Sequence, residues 1–237
     1  PVHIYGTCCD MDSLIDFAQR NSLQIIEDAA QAIGVRFKNQ HAGTFGSVGT
    51  FSFFADKTIT TGEGGMVVTN CPTIYESLRY LRNQGRIDRG SFIHPQIGYN
   101  FRITDIQAAI GLQQLSKLEE IKSKKKAIWD YYYKELSEID SISFFKPNSA
   151  ANFIPFRVGI LSELKPVIDK ALNAAGVETR SFFYPMRKQP CFDGLRHDIR
   201  DKYISDYAYD HGICLPTFVS MTEEQLHYVC TTIKNSL

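Results

Sequence analysis

What most constrains this chain is the alternation of two periodicities along its first half. The stretch "MDSLIDFAQR" (11–20) places Met11, Leu14, Ile15 and Ala18 at helical spacing behind Asp10, a good N-cap residue. "LQIIEDA" (23–29) reads as a short buried strand ending in two acids, and residues 50–54 and 66–69 read as two more strands. Helical spacing returns at 74–82. Strands that alternate with helices predict an α/β domain with a mostly parallel sheet.

From 104 to about 136 the pattern Ile106, Ala109, Ile110, Gln113, Leu115, Leu118 is helical over many turns. It predicts one long helix that buries a single stripe and links two lobes. After Asp140 the texture changes. "SISFF" and "NFIPFRVGIL" read as strands, 163–175 reads as a helix ended by Gly176, and a last helix starts near Thr222, with Gln225 placed for a capping box. The expected organisation is a large domain over 1–138 and a smaller α+β domain over 139–237.

Bulk composition narrows the function classes. With 237 residues, 43% hydrophobic and 22% charged, the chain can bury a full core. Lys+Arg and Asp+Glu both number 26, so no net charge recruits nucleic acid or an anionic membrane. The basic run from Lys122 to Lys126 reads as a solvated helix face. None of the six cysteines forms a C-x-x-C pair, and Cys8 and Cys9 are adjacent, which suits reduced thiols better than a disulfide framework or a zinc site. No apolar run is long enough to cross a bilayer and no signal-peptide pattern is seen, so the expectation is a cytoplasmic protein without a metal. The opening "PVHIYG" reads as the inside of a strand, which leads to the expectation of a preceding segment.

Two places carry chemistry-bearing residues. Glu27 and Asp28 end a strand, where α/β proteins bind ligands, and alternation sends their side chains to opposite faces. By position alone, a strand-end acid capping a helix that begins Ala29-Ala30-Gln31 is the commoner reading. In "FSFFADKTITTGEGGMVVTN" (51–70), Lys57 follows an apolar strand. A lysine there is either a solvated turn residue or, if desolvated, a nucleophilic amine for a carbonyl. Ser52 is either a satisfied strand hydroxyl or a phosphate donor. The glycines at 62, 64 and 65 lack nucleotide-loop spacing, and a tight turn with positive φ accounts for them better.

Taken in order, "EDAAQAIG", "FSFF..K", "TTGEGGMVVTN", "GYNFRITDIQAAIGLQQLSKL" and "GVETRSFFYPM" resemble the sugar aminotransferases of the DegT/DnrJ/EryC1/StrS group, over the whole chain. The lysine region reads much like that of the perosamine-synthase-like members. The resemblance implies the aspartate-aminotransferase-like fold (fold type I) and pyridoxal 5′-phosphate as cofactor. It matches Lys57 to the lysine that holds the cofactor, Asp28 to the partner of the pyridinium nitrogen, and Gln31 to the glutamine near the ring 3-hydroxyl. Ser52 matches a phosphate-binding serine, and Asn100 an asparagine that reaches the phosphate of a neighbouring subunit, which implies a homodimer with shared sites. Arg102, Tyr184 and Arg187 are candidate substrate contacts.

The implied reaction moves an amino group from glutamate to a nucleotide-linked 4-keto-6-deoxy sugar, for surface polysaccharide such as lipopolysaccharide O-antigen. Family members carry a long portion before "PVHIYG", with helix N-terminal amides for the phosphate. This raises the alternative of a non-catalytic relative or fragment. A second alternative is a pyridoxal-phosphate-dependent sugar dehydratase. Those relatives replace the lysine by histidine, and Lys57 argues against it.

Overall fold

The computed structural model describes residues 1–87, 90, 92–192, 194 and 203–237. They form two compact units, Pro1–Lys122 with Pro147–Phe156, and Ser123–Lys146 with Arg157–Leu237. The chain parts at Lys122, ahead of the 138/139 boundary expected from the sequence, and Pro147–Phe156 returns to the first unit.

In the first unit, helix α1 (Met11–Arg20) starts where expected. Asp10 accepts hydrogen bonds from the Ser13 N–H and hydroxyl, satisfying an otherwise orphan amide of the first turn. The sheet comprises β1 (Ile26–Asp28), β4 (Val48–Ser52) and β5 (Gly65–Val68) in the order β1-β4-β5. β1 and β4 run parallel, β4 and β5 antiparallel. On the other side of β1, Val2 makes a parallel bridge to Asp28. The Asp28 N–H donates to Pro1 O and the His3 N–H to Asp28 O, both at 2.9 Å. The opening residues therefore extend the sheet, which is parallel except at β5.

A hairpin of β2 (Arg36–Phe37) and β3 (Gln40–His41) was not anticipated. Its two-residue turn has φ of +46° at Lys38 and +71° at Asn39, the pair of left-handed conformations that matches strand twist. Helix α2 (Pro72–Arg82) has proline in its first turn, where no amide partner is lost.

The long helix expected from 104 to 136 is two helices. α3 (Asp105–Ser116) is capped by a reciprocal Thr104–Gln107 box, and α4 (Leu118–Leu136) follows a break at Lys117, whose N–H bonds back to Gln114. The single buried stripe fails for α3, which buries no residue: Ile106 is 76% and Leu112 71% exposed. α4 does carry a stripe at helical spacing, with Ile121, Lys125, Ile128, Tyr132 and Leu136 all buried.

The second unit is an antiparallel sheet, β6 (Ser143–Phe144), β7 (Val158–Leu161), β9 (Gly212–Leu215) and β8 (Arg180–Ser181), in the order β6-β7-β9-β8. Its helices are α5 (Lys165–Ala174), α6 (Ile204–His211) and α7 (Glu223–Lys234). Tyr132 and Leu136 of α4, Ile168 and Leu172 of α5, and Val229 and Ile233 of α7 pack with Val158, Ile160, Ile213 and Leu215 of the sheet. Each fully buried aliphatic side chain contributes on the order of 1.5–3 kcal/mol. Gly176 ends α5 with φ +71°, and the Thr222–Gln225 box opens α7, both as the sequence predicts. The strand expected over "NFIPFRVGIL" begins only at Val158, and α6 carried no recognised signal.

Among the described residues no helix is long and apolar enough to cross a membrane, and no group of three or more His, Cys, Asp or Glu could hold a metal. All six cysteines are free thiols.

Candidate functional site

Glu27 and Asp28 diverge as strand alternation requires: Glu27 is fully buried, Asp28 exposed. The Glu27 carboxylate accepts the N–H groups of Gly43 (2.7 Å), Phe45 (2.6 Å) and Gly46 (2.6 Å), and pairs with His3 Nε2 at 2.9 Å. Burial pushes its pKa up, but these four bonds prevail and hold it below the ordinary carboxylate value.

Burial opposes a charge on His3, while its contacts with Cys8, Cys9 and Glu27 draw its pKa upward. Nε2 carries a proton that it donates to the Glu27 carboxylate, while Nδ1 faces the Cys9 N–H (3.1 Å) and Cys8 Sγ (3.5 Å). His41 is fixed in the opposite sense. Its Nε2 accepts the Gly34 N–H at 2.8 Å and its Nδ1 donates to Ala42 O at 2.6 Å. Burial lowers its pKa further than the Ala42 bond raises it.

The other face of the same strands carries the sequence-predicted residues. Pairing of Asp28 with Thr50 puts Asp28, Thr50 and Ser52 on one face of β1 and β4. Among the described residues, Asp28 Oδ1 accepts only the Ala30 N–H (3.0 Å), and the segment after it is a turn, not the helix start considered above. Ser52 Oγ accepts the Phe54 N–H at 3.3 Å, which leaves its hydroxyl proton to donate. Lys57 sits just past β4 in a turn closed by its N–H to Phe54 O, and its Nζ lies 5.2 Å from the centroid of the Phe156 ring.

Gln31 Oε1 accepts the Tyr5 N–H at 2.8 Å, so its amide N–H₂ points away from that corner. The glycine loop turns as expected at Gly62 and Gly64, whereas Gly65 opens β5 without a positive φ. Gly62 and Gly64 have φ of +79° and +157°, and the Phe53 N–H bonds to Gly64 O.

Further along the first unit, Arg102 Nε donates to Asn100 Oδ1 (2.9 Å) and Nη1 to Asn83 Oδ1 (3.0 Å). A guanidinium only donates, so Asn100 turns its N–H₂ outward. Asn100 also borders an open hollow of about 610 Å³ with Gln84, His94 and Ile97. Tyr184 and Arg187 belong to the second unit. Tyr184 meets the edge of Tyr209, while Arg187 is engaged by Asp206 and lies 4.0 Å from the Tyr203 ring centroid.

Residues 1–234 match the model of the DegT/DnrJ/EryC1/StrS aminotransferase family. This chain belongs to that family. GDP-perosamine synthase of Escherichia coli O157:H7 is 38% identical over 98% of this chain and 63% of its own length. EpsN of Bacillus subtilis (strain 168), named as a candidate pyridoxal phosphate-dependent aminotransferase, is 33% identical over 94% of this chain and 59% of its own. A DegT DnrJ EryC1 StrS aminotransferase from Brucella abortus has a crystal structure that superposes with a TM-score of 0.91 at 26% identity, covering 99% of this chain and 63% of that one. The chain thus spans less than two thirds of the length of these relatives.

Several residues that shape the surroundings of the candidate residues were not singled out from sequence. His3, Tyr5 and Gly6 lie in "PVHIYG", which reads as plain strand, and Phe156 lies in an apolar stretch of the second half. Gly6 carried the one local signal. Its φ is +88°, and a Cβ there would come within 1.7 Å of Ile154 O, so only glycine lets the two segments approach.

Proposed function

We propose that this chain carries the cofactor-holding part of a pyridoxal-phosphate-dependent nucleotide-sugar aminotransferase. It moves an amino group from glutamate to a GDP-linked 4-keto-6-deoxy sugar, a reading supported by its likeness to GDP-perosamine synthases. The observation that carries the reading is the open face of β1 and β4. Asp28 and Ser52 share it, Asp28 keeps acceptor capacity, and among the described residues the Lys57 ammonium has no hydrogen bond or ion pair.

That donor set fits the group. An amine suits an aldehyde, a carboxylate a protonated ring nitrogen, and a hydroxyl with two outward amide N–H₂ groups suits ring and phosphate oxygens. When bound, the cofactor supplies an electron-accepting ring and an aldehyde carbon that carries the amino group. Lys57 would hold it and, once displaced, take and return the proton of the substrate α carbon. Asp28 would keep the ring nitrogen protonated, Ser52 and Gln31 would orient the ring and phosphate, and Asn100 would serve the phosphate of a second copy in a homodimer. The exposed apolar residues of α3 suit such an interface.

Arg102, through its two asparagines, and Tyr184 are proposed near substrate. Arg187 is proposed as a further substrate contact. Cofactor binding is assigned to the unit of Pro1–Lys122 with Pro147–Phe156 and the small domain to the other unit, with the product serving surface polysaccharide synthesis in the cytoplasm.

The test is direct. The chain is incubated with pyridoxal phosphate, reduced with borohydride and digested. The adduct is expected on Lys57, with a visible absorbance band that Lys57→Ala abolishes. An adduct spread over other lysines, with the band intact in Lys57→Ala, overturns the assignment.

A further inference from the structure

The Phe156 ring beneath the Lys57 amine has no role in the reading above, and its surroundings are unusual. Phe156 is only 4% exposed. Its N–H donates to Tyr5 O at 3.2 Å, and two residues earlier the Ile154 N–H donates to Gly6 O at 3.0 Å. Tyr5 has φ +56°, a left-handed conformation that a residue with a Cβ adopts only where its surroundings impose it. Here the Gln31 side chain takes its N–H and Phe156 takes its carbonyl. One buried, strained corner thus fixes Gln31 on one side and Phe156 on the other.

An aromatic face attracts an ammonium without offering it a hydrogen-bond acceptor. A carboxylate in that place would hold the amine in an ion pair that it must break before reacting. The ring gives the amine a direction and keeps water from its underside, yet occupies none of its protons.

We propose that Phe156 is a positioning residue for Lys57: its ring is the seat on which the resting amine is held, and the Tyr5–Gly6 corner holds the ring. This rests on the reading of Lys57 as the cofactor-holding lysine, but its test needs no cofactor. The cofactor-free chain is treated with formaldehyde and a mild hydride at limiting reagent. Methylation of Lys57 is then compared with that of exposed Lys117 by peptide mass spectrometry.

In F156L, which keeps apolar volume and removes the π face, the Lys57/Lys117 ratio is expected to rise about two- to fivefold, and in F156Y to stay at the wild-type value. A ratio unchanged in F156L, or raised equally in F156Y, overturns the proposal. A second measurement needs no variant. In a carbon–proton correlation spectrum of the wild-type chain, the Lys57 ε-methylene protons are expected upfield of other lysines through the ring current. Unshifted protons overturn the proposal even if F156L does not fold. If these results hold while pyridoxal phosphate fails to attach, the functional reading falls and the seat remains. If they fail while the cofactor attaches to Lys57, only the seat falls.

Discussion

The two faces of the β1–β4–β5 sheet are built on opposite plans. On one, Glu27 is buried under a turn that gives it three amides and under His3, and Gly49 beside it lets the Gly43 carbonyl approach. Nothing on that face has spare hydrogen-bonding capacity at the carboxylate. On the other, Asp28 meets a single amide, Ser52 keeps a proton to donate, and Ile26 and Val67 are 63% and 45% exposed. The closed face sets the backbone and the open face presents groups with capacity to bind. The two adjacent acids therefore sit in unlike settings, Glu27 fully engaged and Asp28 with acceptor capacity left.

The largest effect should come from breaking the closed face. Glu27→Gln replaces a carboxylate acceptor by an amide whose N–H₂ must face an N–H donor, and removes the partner of His3. A loss of about 3–5 kcal/mol is expected in denaturant unfolding. Gly49→Ala comes next. Its Cβ would fall 1.8 Å from Gly43 O, so β4 must shift, at a cost on the order of 1–3 kcal/mol. A denaturation midpoint unchanged in both variants would mean that the closed face does not hold the fold.

Acid should weaken the closed face in two stages. The His41 pKa in the folded chain lies below its ordinary 6.5, so as pH falls below about 6.5 the unfolded chain binds the proton first and stability drops. Glu27 is held below its ordinary 4.5, so a further loss follows beneath about 4.5. Both contributions are fully present above pH 7. His3, whose contacts draw its pKa upward, acts in the opposite sense over the first range, so the first step is read as the difference in urea midpoint between the chain and His41→Gln from pH 8 to pH 5, and the second step persists in both.

Much of this plan was legible in the chain. Alternation alone sends Glu27 and Asp28 to opposite faces, whereas position alone favours a helix cap for Asp28 and a solvated turn for Lys57, and only the joint order of motifs singles them out. The break at Lys117 was not legible, because helical periodicity runs unbroken through 104–136 and the interruption lies in backbone conformation. The Glu27 anchor was hidden for a different reason. Its partners are backbone amides of 43–46, which carry no side-chain signature, and His3, which reaches it only through the pairing of the opening residues with β1. Phe156 was invisible because its relation to Lys57 depends on a segment returning from far along the chain. Local patterns report faces and caps, whereas contacts made through backbone amides or across long separations emerge only from the folded chain.

The smallest effect on stability is expected at Asp28. Asp28→Asn keeps the shape and the Oδ1 acceptor for the Ala30 N–H, so unfolding should change by no more than about 0.5 kcal/mol. The amide carries no charge to keep a ring nitrogen protonated. Turnover of glutamate with a GDP-linked keto sugar should therefore fall on the order of a hundredfold in the protein that carries this chain, a size typical of losing one preorganised electrostatic contact. Melting and turnover measured side by side separate the two acids. If Asp28→Asn costs as much stability as Glu27→Gln and leaves turnover intact, the open face is merely unfinished surface. If turnover collapses while the melting curve stays in place, the division of labour across β1 is real, because the variant keeps the Ala30 contact and loses only the charge.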